Sequence, residues 1–219
     1  ATFKGGIHPY EGKELSENKP IQVLLPKGEL VFPMSQHIGA PAKPLVAKGD
    51  RVLAGQKIGE AGGFISANVI CSVSGTVKAI EPRRMVNGAM VPSIIVENDG
   101  EYETVEGVGE DRDPSTLSKE EIRSIVKEAG IVGLGGAGFP THVKLTPKDE
   151  NAIDYVIVNG AECEPYLTSD YRMLIEEPEK IVGGLKVILH QCDNAKGVFA
   201  IENNKPEAIK KLTEMVKDE

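Results

Sequence analysis

The 219 residues carry 25 Lys and Arg against 33 Asp and Glu, a formal net charge of −8, so the mean field repels nucleic acid and anionic lipid surfaces. Hydrophobic residues at 40%, charged residues at 26% and a mean hydropathy of −0.18 describe an ordinary globular chain, long enough for one large or two small cores. No run approaches the ~20 apolar residues of a membrane-spanning helix, so neither nucleic-acid binding nor direct membrane insertion is expected, and any membrane contact would pass through a protein partner.

Cys71, Cys163 and Cys192 lie far apart without a CxxC pair, which predicts neither a disulfide framework nor a zinc site and fits a reducing cytosol. Residues 1–10 lack the basic and apolar regions of a signal peptide. The 24 Gly and 14 Pro, beside 5% aromatics and no Trp, imply many turns.

Taken in chain order, residues 21–25, 56–58, 69–73, 76–80 and 93–96 are short β-branched apolar runs and predict strands. Pro26-Lys27-Gly28, Lys48-Gly49-Asp50, Ala61-Gly62-Gly63, Ser74-Gly75 and Asn87-Gly88 supply the turns between them. The pattern predicts a small all-β domain over residues 1–110, closed as a barrel or sandwich. Residues 101–114, acidic and aperiodic, predict a linker. Beyond it, over residues 111–219, the period becomes helical. Ser118 and Glu121 form a capping box, Ile122, Ile125, Val126 and Ala129 share a face, and Gly130 ends the helix. A strand at 155–158, a long helical region at 174–190, a strand at 198–201 and a helix entered through Asn204 and Pro206 predict a βαβα order with a parallel sheet.

Four features can carry chemistry. Gly133-Leu134-Gly135-Gly136-Ala137-Gly138-Phe139-Pro140 contains G-x-G-x-x-G, but it follows a helix, whereas the dinucleotide fingerprint follows a strand. Its glycines permit close backbone approach to a flat or anionic ligand, and equally describe a plain turn. Asn159-Gly160-Ala161-Glu162-Cys163-Glu164-Pro165 follows the 155–158 strand, at the end where open α/β sheets place their ligands. In extended chain Glu162 and Glu164 would point the same way and accept from hydroxyl or ring N–H donors. The alternative is a polar loop that caps the next helix through Thr168, Ser169 or Asp170. Lys144, behind the glycine loop, could neutralise a phosphate or a reduced flavin. Finally, residues 59–66 and 72–77 are similar to the lysine-bearing hairpin of lipoyl and biotinyl carriers, with Phe64 and Ile65 at the tip and Lys57 well before it, so a swinging arm is not expected. His8, His37, His142 and His190 lack metal spacing, and Cys163 between two glutamates is disfavoured as a thiolate. No catalytic side chain and no metal ligand is assigned.

Residues 133–141, Lys144 and residues 159–165 together resemble the flavin- and NADH-binding core of the respiratory complex I flavoprotein subunit. Gly5-Gly6-Ile7-His8-Pro9 and Ser35-Gln36-His37-Ile38-Gly39-Ala40-Pro41, with the lysine-less hairpin, narrow the resemblance to the RnfC family of Rnf electron-transport complexes. It implies a multidomain chain: an N-terminal all-β lipoyl-like barrel-sandwich hybrid, then an α/β Rossmann-like domain incomplete at the C-terminus. It also implies a peripheral subunit on the cytoplasmic face of the bacterial membrane, an NAD(H)-dependent flavin oxidoreductase. Its complex would couple ferredoxin:NAD⁺ electron transfer to Na⁺ or H⁺ translocation. Partners would be the membrane and ferredoxin-reacting subunits, and cofactors FMN and NAD(H). Gly133, Gly135, Gly136 and Gly138 would line flavin and nucleotide, Lys144 would stand near the flavin, Asn159 and Glu162 would contact FMN, and Glu164 would contact NAD(H).

The chain departs from the complex I pattern at Leu134, where that pattern has Arg, at Ala161, where it has Asp, and at Thr146-Pro147, where it has an aromatic. The family continues into a segment with two [4Fe–4S] clusters, for which three cysteines do not suffice. The chain therefore reads as an N-terminal fragment, inactive alone. A cobalamin reductase of propanediol-utilising microcompartments shares the same core, and a non-catalytic docking module is the reading from another class.

Overall fold

The computed structural model describes Gly6, Ile7 and residues 9–134 and 138–219. Gly135 and Gly136, expected to line the flavin, and His8 lie outside the described residues. The chain divides into two compact units, Leu24–Lys148 and a second formed by Ala1–Val23 with Asp149–Glu219.

The first unit is built from β1 (Glu29–Pro33), β2 (Lys43–Pro44), β3 (Arg51–Val52), β4 (Lys57–Glu60), β5 (Val69–Ile70), β6 (Gly75–Arg84), β7 (Met90–Asn98), α1 (Lys119–Glu128) and α2 (Thr141–Lys144). Two antiparallel sheets, β1-β7-β6-β3 and β2-β4-β5, share one core of Phe32, Met34, Val52, Ile58, Val73 and Ile94 among others. The β6–β7 hairpin turns through Asn87-Gly88, with Gly88 at φ 84, the left-handed conformation a tight hairpin turn demands. Val77, Ile94 and Val96 are fully buried in this core, and β7 is covered on both faces at its middle, since Ser93 and Ile95 are buried as well.

Residues 21–25, expected as a strand, pair with no strand among the described residues, and Val23 and Leu24 are 88% and 91% exposed. The edge strand of this sheet is instead β1, whose Leu30 and Phe32 face Val96 and Ile94 of β7. The run 69–73 stops pairing as a strand at Ile70, yet Cys71 and Val73 remain buried, because the Cys71 amide bonds to the Gln56 carbonyl and turns the chain inside the core. Residues 101–105, expected in the linker, are packed: Tyr102 donates its hydroxyl to the Pro26 carbonyl at 2.6 Å, and the Ala54 amide bonds to the Glu103 carbonyl.

Helix α1 forms as its sequence dictates. Ser118 Oγ accepts from the Glu121 amide while the Glu121 carboxylate accepts from the Ser118 amide. At the other end Gly130 adopts φ 65, and the amides of Ile131 and Gly130 bond to the carbonyls of Val126 and Lys127, a Schellman closure. The helix end is tied to the β sheets, since Asn68 Nδ2 donates to the Lys127 and Glu128 carbonyls and Lys57 pairs with Glu128 at 2.8 Å. A side chain at Gly130 would strike the Asn68 carbonyl.

The second unit contains β8 (Tyr155–Gly160), α3 (Ser169–Glu176), α4 (Pro178–Leu189), β9 (Lys196–Ile201) and α5 (Pro206–Met215). Strands β8 and β9 are parallel and in register from Tyr155↔Lys196 to Gly160↔Ile201. The core between sheet and helices holds Leu174, Val182, Ala208 and Leu212. The helical region expected at 174–190 is two helices: it starts earlier, at Ser169, and breaks at Glu177-Pro178, where proline lacks the amide an unbroken helix needs and opens α4.

Candidate functional site

The two loops singled out in the sequence fall one in each unit. In the first, the chain folds back on itself across a Val132–Pro140 bridge, with Gly133 N–H donating to the Phe139 carbonyl and Thr141 N–H to the Ile131 carbonyl, both at 2.9 Å. Gly138 sits at φ 58, and a Cβ there would stand 2.8 Å from the Gln36 carbonyl oxygen. The Ser35–Ile38 stretch thus passes too close for any side chain, which gives Gly138 a structural cause of its own. Leu134 is wholly exposed.

Helix α2 opens directly behind the loop and carries Lys144 at its end. The exposed ammonium lies 3.4 Å from where a Cβ on Gly133 would be, and it pairs with no carboxylate among the described residues. His142, beneath it, is buried; desolvation pushes its pKa below the usual histidine value, and a hydrogen bond to the Phe64 backbone acts the other way. His37 accepts the Ala67 amide at Nε2 and donates from Nδ1 to the Ile38 carbonyl. Both are hydrogen-bonded packing residues, and among the described residues no His, Cys, Asp and Glu group is arranged to hold a metal.

In the second unit, residues 159–165 leave the carboxyl end of β8. Asn159 Oδ1 accepts the Ala161 amide at 3.1 Å, which frees the exposed amide nitrogen of the side chain. The turn that follows sends the two glutamates apart. Glu162 is 3% exposed, and its carboxylate accepts from Ser169 Oγ, the Asp170 amide at 2.8 Å and the Tyr171 amide. The helix is thus capped from within the loop itself, by Glu162 and not through Thr168, Ser169 or Asp170 side chains. Glu164 is exposed, with Cys163 Sγ 3.8 Å from its carboxylate.

Three residues in this neighbourhood were not legible in the sequence. Lys13 Nζ donates to the carbonyls of Glu162, Glu164 and Leu167 at 2.6, 3.0 and 2.8 Å. Glu202, at the end of β9, accepts from the buried Lys205 at 2.8 Å and from the Glu162 amide; Lys205 foremost holds its carboxyl below the usual carboxylate range, against the opposing effect of burial. A cavity of about 160 Å³ opens between Lys13 and Lys205, lined also by Glu11, Glu162 and Tyr171. All three act from positions remote in sequence from the loop, where no local pattern marks them.

In the first unit, an ammonium without a carboxylate partner among the described residues is chemically suited to an anionic group. In the second, the exposed Glu164 carboxylate can accept from hydroxyl or N–H donors and the exposed Asn159 carboxamide can donate.

Two family models match the chain. Residues 1–101 match the family model described as the RnfC barrel sandwich hybrid domain, so the paired sheets with their common core are of that type, and residues 126–219 match the Nuo51 FMN-binding domain. The chain is 44% identical over 211 residues to the C subunit of a proton-translocating ferredoxin:NAD⁺ oxidoreductase complex of Clostridium ljungdahlii, covering 96% of this chain and 46% of that protein. It is 44% identical over 221 residues to the C subunit of an Na⁺-translocating complex of Acetobacterium woodii, covering 98% and 48%. With the C subunit of an ion-translocating oxidoreductase complex of Rhodobacter capsulatus, identity is 39% over 216 residues, covering 97% and 41%. The chain therefore spans about half the length of these curated relatives, or less. Among the described residues no helix is long and apolar enough to cross a membrane.

Proposed function

The chain belongs to the RnfC family, the C subunits of Rnf ion-translocating ferredoxin:NAD⁺ oxidoreductase complexes, and we propose that it is the part of such a subunit that binds FMN and meets NAD(H). In this reading the subunit sits peripherally on the cytoplasmic face of the bacterial membrane, beside the membrane-embedded and ferredoxin-reacting subunits. Two [4Fe–4S] clusters belong to sequence beyond these residues. The coupled ion is Na⁺ or H⁺, since relatives of equal identity are named for each.

The observation that carries the reading is the Lys144 ammonium, exposed, without a carboxylate partner among the described residues and held against the bare face of Gly133. Bound FMN would supply two-electron exchange with NAD(H) and one-electron exchange with iron–sulfur centres. The chain's residues bind and orient. In this reading Gly133, Gly135, Gly136 and Gly138 would line the flavin and nucleotide, since glycine is the residue type that permits close approach of a flat ring. Lys144 supplies positive charge where a reduced ring or a phosphate is negative. Asn159 offers its free carboxamide N–H to the flavin, and Glu164 accepts from the hydroxyls of NAD(H). Glu162, by capping α3, keeps that loop in place for both.

The test is FMN titration of the full-length subunit, followed by flavin fluorescence and anaerobic bleaching by NADH. Lys144→Met is expected to weaken FMN binding about tenfold, the loss of one charge-assisted contact. Glu164→Gln is expected to raise KM for NADH while leaving FMN content unchanged. A full-length protein that takes up no FMN after anaerobic reconstitution overturns the redox reading and leaves the docking module.

A further inference from the structure

We infer that Lys13, from the segment that precedes the β sheets, is a positioning residue of the NAD(H) site, setting the shape of the loop that presents Glu164. The inference rests on the reading of residues 159–165 given above and extends that site to residues 11–16.

An ammonium has three N–H donors and no acceptor. Lys13 spends all three on the carbonyls of Glu162, Glu164 and Leu167. Three carbonyls drawn onto one cation force those residues into a tight arc, a shape in which the loop's own amides cannot satisfy them. The rest of the segment reinforces the hold. The Tyr166 amide donates to the Glu11 carbonyl at 2.6 Å, and Ser16 Oγ meets Thr168 Oγ1 at 2.8 Å. Tyr166 itself is at φ 66, a conformation disfavoured for a side chain of its size. Its ring lies where a Cβ on Gly12 would be, at 2.3 Å, so Gly12, at φ 63, is the residue that lets the ring in.

On its other side the loop meets Glu202, just past the end of β9, whose carboxylate accepts the Glu162 amide. The Glu162 carboxylate is meanwhile spent on the start of α3. The Glu162 carboxylate and the carbonyls of Glu162, Glu164 and Leu167 are therefore committed, while the Glu164 side chain remains exposed. Lys13 touches neither ligand in this arrangement. Its effect is to fix where the Glu164 carboxylate stands.

Lys13→Met and Lys13→Arg in the full-length, FMN-loaded subunit test this. Two readouts are needed: NADH oxidation by an artificial one-electron acceptor, resolved into KM and kcat, and hydrogen exchange of the amides of residues 162–171. Lys13→Met is expected to raise KM for NADH about tenfold or more with kcat nearly unchanged, the cost of a lost charge-assisted hydrogen bond. Exchange is expected to quicken within 162–171 and nowhere else, and Lys13→Arg, which keeps charge and donors, to recover most of both. An unchanged KM in Lys13→Met, or an unchanged exchange pattern, overturns the inference. So does faster exchange over the whole unit, which would make Lys13 a residue of general stability. Wild-type protein that NADH does not reduce overturns the parent reading as well, and is told apart because it fails before any variant is compared.

Discussion

Glu162 is a carboxylate withdrawn from water, and its three donors come from the first residues of α3. Free amides at a helix start carry partial positive charge, so an anion there satisfies donors and opposes the dipole at once. Replacing it with glutamine keeps the volume but turns an N–H₂ group toward N–H donors. Glu162→Gln should lose about 1–2 kcal/mol of stability, and Glu162→Ala should lose no less, measured by urea denaturation followed at the second unit. A residue that served only as a ligand contact would leave stability unchanged and alter FMN affinity alone. Alternation in an extended chain suggests that Glu162 and Glu164 point together, whereas Glu162 is buried and Glu164 exposed, with the chain bending at Glu164 into the turn at 165–166. The spacing was legible and the turn was not, because Lys13, which bends the loop, lies about 150 residues away in sequence.

At the scale of the element, the glycine loop holds two glycines for different reasons. Gly138 combines φ 58 with a backbone carbonyl 2.8 Å from its missing Cβ. Gly138→Ala is therefore expected to cost at least about 1–2 kcal/mol from the left-handed backbone alone, with more from displacing the Ser35–Ile38 stretch. Gly133 has no such constraint: its Cβ would meet the movable end of Lys144 at 3.4 Å and the Phe139 backbone at ordinary contact distances of 3.7 and 3.8 Å. Gly133→Ala should be nearly neutral in thermal unfolding yet weaken FMN binding. Equal losses of stability from both substitutions would show that the loop's glycines serve the fold alone. Helix α1 was readable to its ends because capping box and Schellman closure are local devices. The two-residue strands β2 and β3 were not readable, since strands that short are defined by distant partners rather than by their own pattern, whereas β5 falls within the run read at 69–73. β1 was missed for the same reason: its apolar Leu30 and Phe32 gain meaning only opposite Val96 and Ile94.

At the scale of the molecule, the order of the chain and the order of its packing differ. The described residues before Leu24 belong to one compact unit with Asp149–Glu219, although the β sheets directly follow them in sequence. Asp149–Glu219 is a piece of roughly 70 residues with a two-stranded sheet, a size at which a single core gives only ~3–5 kcal/mol. The N-terminal segment adds to it the three bonds of Lys13, the Glu11–Tyr166 and Ser16–Thr168 contacts, the Arg172 guanidinium on the Glu17 carbonyl, and the Ile21 amide on Glu176. At about 1 kcal/mol for each net hydrogen bond, these contacts rival the whole stability of that piece. A chain beginning at Leu24 is thus expected to keep Leu24–Lys148 folded, with protected amides in β6 and β7, while β8, β9 and their helices lose protection. Hydrogen exchange read by mass spectrometry distinguishes the two. Retained protection of β8 and β9 in the shortened chain would mean that the N-terminal segment rests on a unit already stable without it, and that its hold on the 162–167 loop is local.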